Sequence, residues 1–145
     1  MSERYLADDL ETEALGVALA GLTPPGGTWL LRGELGAGKT TWTRGFLQGL
    51  GGDPDEVASP TYAVLHRYSA PGGRLFHLDL YRLGAEGAWT LGLEEEIGPS
   101  DYLVVEWAGT RGPWPTAWVA ELSLESCHEG RMARWTLPVL PTAAS

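Results

Sequence analysis

Between residues 33 and 40 the chain reads Gly33-Glu34-Leu35-Gly36-Ala37-Gly38-Lys39-Thr40, which matches G-x-x-x-x-G-K-[ST] at every specified position. The chemistry served by this spacing is the holding of a phosphate chain. A backbone leaving a strand must curl round an anion and enter a helix, and Gly33, Gly36 and Gly38 permit angles and close approaches that a Cβ forbids. Successive N–H groups then face the anion, and the helix N-terminus adds the positive end of its dipole. Lys39 would reach the β- and γ-phosphates, and Thr40 would offer its hydroxyl to Mg²⁺. Thr41 follows, but only one threonine is expected at the metal, and the residue directly after the lysine is the choice. The implied ligands are ATP and Mg²⁺.

Such a loop needs an acid at the end of a neighbouring strand. Leu103-Val104-Val105-Glu106 has that form, and Glu106 would hold the metal directly or through a water. Asp79 competes. In the alternating run 76–81, Phe76, Leu78 and Leu80 share one face and His77, Asp79 and Tyr81 the other. That polar face suits an active site and a solvated surface equally. Either Asp79 or Glu106 could orient an attacking water, while the loop amides, Lys39 and Mg²⁺ absorb phosphate charge. No arginine is placed by the sequence as a finger, so slow turnover is expected. His66 and His77 read as strand histidines, and no Cys/His spacing suggests zinc. Cys127, the sole cysteine, reads as inert; Arg44 is open to a partner or to water, with water preferred, and Glu94-Glu95-Glu96 is assigned to a solvated face.

The elements that must position these groups can be read from periodicity. Asp8 to Ala20 reads as a helix, with an aspartate cap and Leu10, Ala14, Val17 and Ala18 at helical spacing. Thr28–Arg32 is a short apolar strand before the loop, and Thr40–Leu50 a helix after it, ended by Gly51-Gly52. Thr61–Tyr68 and Arg74–Tyr81 flank Pro71-Gly72-Gly73 as a hairpin. Gly84–Gly98 suggests short helical pieces, Asp101–Trp107 a buried strand, and 109–115 a loop. Trp118–Leu124 and Met132–Leu137 are late strands joined through Glu129-Gly130, and the tail 138–145 is expected to fray. The expected fold is α/β: a single P-loop NTPase-like domain over 1–145, with a mixed parallel/antiparallel sheet flanked by helices.

Composition narrows the company this chain keeps. A net charge of −9 makes it a poor solitary binder of nucleic acid, so any RNA would be held by a partner. No apolar run approaches the roughly 20 residues of a membrane span, and the first ten residues lack a secretory pattern. The expected location is the cytoplasm. Seven tryptophans are mostly assigned to core filling.

Five motifs stand in order along the chain: Gly33 to Thr41, Arg44-Gly45-Phe46, Ser59-Pro60-Thr61-Tyr62, His77-Leu78-Asp79-Leu80-Tyr81-Arg82-Leu83 and Val105-Glu106-Trp107. Taken together they resemble the TsaE (YjeE) family of small ATPases in tRNA threonylcarbamoyladenosine synthesis. The resemblance implies slow ATP hydrolysis by a regulatory or reset subunit acting with TsaB- and TsaD-like partners. TsaD transfers threonylcarbamoyl to the adenosine beside the tRNA anticodon, and tRNA is met only through that complex. It further implies that Thr40 and Glu106 are Mg²⁺ ligands and that Asp79 is the acid of hydrolysis. Ser59 to Tyr62 would be a switch-type loop near the γ-phosphate, Trp107 would stand at the catalytic face, and Thr12 would lie near the nucleotide. Gly130-Arg131 resembles a late family motif without an assigned role. Ala108 and Trp42 depart from the family pattern, with consequences for packing only.

Three rivals remain. A small-molecule kinase would need an acceptor pocket and an arginine-rich lid, for which no insertion is visible. A GTPase would carry Asn-Lys-x-Asp, which is absent. A nucleotide-binding interaction module without turnover could use hydrophobic residues from Trp107 to Trp118 for docking.

Overall fold

A strand covered on both faces must be apolar at nearly every position, and three runs of the chain meet that condition. Gly27–Arg32 (β2) is buried at all but its last residue, Tyr102–Glu106 (β5) throughout, and Leu75–Asp79 (β4) at all but its half-buried end. The structure, a computed structural model, describes residues 1–34, 36–57, 65–79, 92–106 and 114–138. In it, β4, β5 and β2 run parallel and adjacent, and Trp118–Cys127 (β6) pairs parallel to β2 on its other side. Ser2–Leu6 (β1), Gly130–Thr136 (β7) and Leu65–Tyr68 (β3) add antiparallel pairs at the two margins. The described strands form one seven-stranded sheet in the order β1-β7-β6-β2-β5-β4-β3. This is the mixed α/β sheet expected of a P-loop NTPase-like chain.

Helices Asp9–Leu22 (α1) and Lys39–Gly49 (α2) pack on each other and on one face of the sheet. Asp8 caps α1 by accepting from the Glu11 amide at 2.9 Å. The two helices approach very closely. A Cβ on Gly45 would stand 1.9 Å from the Glu13 carbonyl oxygen, and one on Gly16 2.3 Å from that of Trp42. Leu15, Leu19, Trp42 and Phe46 from this pair meet Trp29, Leu31, Tyr102 and Val104 from the sheet. Trp42 stacks on Phe46 at 5.2 Å and meets Trp29 edge-on at 5.4 Å, so the tryptophan at this helix position is accommodated in the core. The opposite sheet face buries Leu30, Phe76, Leu78, Leu103 and Val105 beneath the short helix Leu93–Glu96 (α3), which contributes Leu93. Among the described residues no helix is long and apolar enough to cross a membrane.

Several expectations need correction. The apolar residues Leu10, Ala14, Val17 and Ala18 form the exposed face of α1; the buried residues are Thr12, Leu15, Gly16, Leu19 and Ala20. Helix α1 has two candidate stripes, and the one carrying Gly16 wins because only that face permits the close approach to α2. Strand β1 was not anticipated: Ser2–Leu6 is an edge strand with four exposed residues and therefore no apolar alternation to read. Strand β6 continues past Leu124 to Cys127, so the hairpin turns at His128-Glu129. Arg44 does not face water alone; its Nε donates to the Val57 carbonyl at 2.8 Å. Within the Glu94–Glu96 run, Glu96 is half-buried and ion-paired with Arg67. Trp118 is core and so is not available for docking; Trp114 is half-buried, and 107–113 lie outside the described residues.

Candidate functional site

The glycine loop leaves β2 and enters α2, as its spacing demands. Gly36 and Gly38 hold φ of +81° and +104°, angles that L side chains rarely adopt. Gly33 runs so close to β6 that a Cβ would come within 2.6 Å of the Leu124 carbonyl oxygen. The Ala37 amide donates to the Glu34 carbonyl at 3.0 Å and tightens the turn. Gly38 caps α2 in the left-handed region and, having no side chain, offers no acceptor to the first-turn amides.

Lys39 is 4% exposed and donates from Nζ to the Gly33 carbonyl at 2.6 Å, reaching back across the loop. Burial holds its pKa below the ordinary lysine value, and the charges of Glu106 and Asp79 oppose that shift. Both carboxylates expected at the site therefore act on this lysine. Strand register explains how they come together. Leu31, near the end of β2, neighbours Glu106 on β5, and Glu106 neighbours Asp79 on β4. Adjacent strands lie about 4.8 Å apart, so both acids end their strands at the sheet edge from which the loop departs.

The polar face of β4 is not a solvated one. His77 is 1% exposed and Asp79 is half-buried. The Nε2–H of His77 donates to the carboxylate of Glu106, itself 6% exposed. His77 is thus more than the plain strand histidine read from sequence.

On the other side of the loop, Thr12 is fully buried on α1. Its Oγ1 donates to the Asp8 carbonyl at 3.1 Å and accepts from Arg131 Nη1 at 2.8 Å. Arg131 also pairs with Asp9 at 3.1 Å, and a Cβ on Gly38 would lie 2.4 Å from its Nη1. The guanidinium therefore rests against the loop. Sequence reasoning left Arg131 without a role; the Gly130-Arg131 likeness was the one available signal. Thr40 and Thr41 follow Lys39 in the first turn of α2 and are half-buried. Leu35, Ser59, Thr61 and Trp107 lie outside the described residues.

The candidate metal donors, Thr40, Glu106 and the adjacent Asp79, are all hard oxygens, the chemistry Mg²⁺ prefers. Among the described residues no group of three or more His, Cys, Asp or Glu is placed to hold a metal unaided.

A glycine loop joining a buried parallel strand to a helix N-terminus, with carboxylates ending the next two strands, defines a P-loop NTPase-like domain. Comparison with known proteins sharpens this. The family model described as "Threonylcarbamoyl adenosine biosynthesis protein TsaE" matches residues 6–134, and the chain belongs to the TsaE family. The "tRNA threonylcarbamoyladenosine biosynthesis protein TsaE" of Bacillus subtilis is 41% identical over 98 residues, covering 68% of this chain and 61% of that protein. The Haemophilus influenzae protein of the same name is 42% identical over 79 residues, 54% of this chain and 49% of that protein. The matched segments thus span about half to three-fifths of those two relatives. In Nostoc the namesake is 33% identical over 141 residues, 94% of this chain and 86% of that one. The crystal structure of Bacillus subtilis YdiB superposes with a TM-score of 0.71 at 26% identity, covering 94% of this chain and 84% of that chain.

Proposed function

We propose that this chain binds ATP with Mg²⁺ and hydrolyses it slowly, as the regulatory or reset subunit of tRNA threonylcarbamoyl transfer alongside TsaB- and TsaD-like partners in the cytoplasm. The observation that carries the ATP reading is the register Leu31–Glu106–Asp79, which sets two acids beside the root of the glycine loop. The family supports the pathway.

On this reading the amides of the loop and of the first turn of α2 bind the phosphates, and Lys39 leaves the Gly33 carbonyl to join them. Arg131, steadied by Thr12 and Asp9, closes the α1 side. Thr40 and Glu106 would hold Mg²⁺, which when bound supplies charge neutralisation across the β- and γ-phosphates. Asp79 accepts a hydrogen bond from the attacking water and orients it. Arg131 is committed to α1 contacts on the far side of the loop from the acids, so a partner completing the site would account for slow intrinsic turnover.

The test is calorimetric ATP binding together with phosphate release for wild type, Lys39→Ala and Asp79→Ala, each with and without the partners. Loss of a charge-assisted contact of about 1.5–3 kcal/mol should weaken ATP binding by Lys39→Ala roughly 10- to 100-fold. Asp79→Ala should bind ATP and fail to turn it over. Wild-type affinity in Lys39→Ala would remove the ATP site. Failure to co-purify with TsaB- and TsaD-like proteins in any nucleotide state would remove the proposed partnership and leave the site standing.

A further inference from the structure

His77 is a buried histidine with one polar partner among the described residues. Its ring lies on β4, between β5 and the edge strand β3, at 1% exposure; Nε2 bonds Glu106, and Nδ1 has no hydrogen-bond partner among the described residues. An apolar side chain would fill the same space without leaving a ring nitrogen unpaired in the core. What a histidine adds here is the bond to Glu106.

The backbone determines how that bond is made. His77 pairs with Val104 and Asp79 with Glu106, so His77 stands two residues back from the strand ends and reaches the carboxylate diagonally on the same face. Behind it, the His66 ring lies at 6.4 Å on β3 and stacks at 6.1 Å with Tyr68. The imidazole is enclosed and has little freedom to rotate. Of the two carboxylate oxygens of Glu106, Oε2 is the one bound to His77.

We infer that His77 is a positioning residue: through its Nε2–H bond it holds the Glu106 carboxylate in the orientation from which Glu106 engages the Mg²⁺ of a bound nucleotide. The inference rests on the ATP–Mg²⁺ reading above. Hydrogen-bond partners of metal ligands typically change metal affinity 10- to 100-fold when lost.

His77→Gln and His77→Asn separate this role from mere pairing of a buried charge. The glutamine amide reaches the place of Nε2, whereas asparagine reaches only that of Nδ1, and both are polar. The measurement is the binding of a non-hydrolysable ATP analogue, first in EDTA and then across a Mg²⁺ titration. His77→Asn should need about tenfold more Mg²⁺ for half-maximal enhancement, with affinity in EDTA within twofold of wild type. His77→Gln should stay within threefold of wild type in both. Adding His77→Asn to Glu106→Gln should cause no further loss, because His77 acts only through Glu106. An unchanged Mg²⁺ midpoint in His77→Asn, or equal damage in both variants, would overturn the inference. If His77→Asn does not fold, the double variant decides: folding like Glu106→Gln traces the defect to an unheld carboxylate and supports the role, and failure to fold overturns it. A wild-type protein whose analogue binding ignores Mg²⁺ would instead sink the reading of the site on which this rests.

Discussion

Replacing Gly45 by alanine should destabilise the protein although it improves a helix former. The new Cβ would stand 1.9 Å from the Glu13 carbonyl oxygen, 2.7 Å from its carbonyl carbon and 2.8 Å from its Cα. All three are backbone atoms of α1, so no side-chain rotation relieves the overlap, and the helices must part by about 1 Å to recover ordinary contact. Parting opens the packing between Leu15 and Leu19 on one helix and Trp42 and Phe46 on the other. Overpacking typically costs about 1–3 kcal/mol, and a backbone-to-backbone clash belongs at or above the top of that range. Helix propensity returns about 1 kcal/mol, leaving a net loss of about 2–3 kcal/mol. With an unfolding entropy of about 2.1 cal/mol/K per residue over 145 residues, Tm should fall by about 8 °C. Gly21→Ala is the matched control. Nothing lies within 4 Å of its Cβ, so propensity alone remains and stability should rise by about 0.5–1 kcal/mol. Thermal and urea melts followed by tryptophan fluorescence measure both, since Trp29 and Trp42 sit beside the contact. Helix α2 opens with Lys39 and α1 carries Thr12, so Gly45→Ala should also weaken ATP binding while Gly21→Ala leaves it intact. A Gly45→Ala protein melting at or above wild type would refute the close-contact argument.

Two further expectations concern charge. Burial alone would raise the pKa of Asp101, but hydrogen bonds from the Arg74 guanidinium and the Gly98 amide outweigh it and hold the carboxyl below its usual range. A depressed folded pKa means that the contribution is present above the unfolded value, about 4, and is lost as pH falls through the folded one. Asp101→Asn should therefore cost about 1–2 kcal/mol at pH 7 and converge on wild type as pH falls through the folded value in urea melts; a gap that ignores pH would count against it. Arg131→Ala should weaken ATP binding about tenfold by calorimetry, with Arg131→Lys in between because an ammonium cannot hold Thr12 and Asp9 in the same fork. Equal ATP affinity in all three proteins would place Arg131 outside the site.

Signals carried by neighbouring residues were the legible ones. The glycine loop declares itself because backbone geometry within eight residues imposes the glycines, and its strand and helix were read to within one residue. The buried strand ending in Glu106 was equally plain, as was the mixed sheet. What escaped was mostly long-range. Nothing local says that β5 inserts between β2 and β4, so the place of Asp79 beside Glu106, half-buried, could not be read from the alternating pattern. Arg131 meets Thr12 across 119 residues of sequence. Strand β1 has no apolar face to announce it, and α1 presents two plausible stripes of which only glycine packing selects one.

The same register raises an electrostatic difficulty that the site must meet. Two carboxylates end adjacent strands beside a loop built for a polyanion, in a chain whose net charge is already −9. At an effective dielectric of about 20, like charges some 5 Å apart repel by about 3 kcal/mol per pair. Lys39 offsets one acid, and Arg131 is partly spent on Asp9. Loop amides alone would therefore bind a triphosphate against a field that is close to neutral or negative. It follows, on the proposed reading, that nucleotide affinity should depend steeply on a divalent cation. It follows also that removing charge at Glu106 and removing charge at Asp79 should each strengthen binding in EDTA. Unchanged affinity in EDTA for both variants would place the two acids out of electrostatic reach of the bound phosphates.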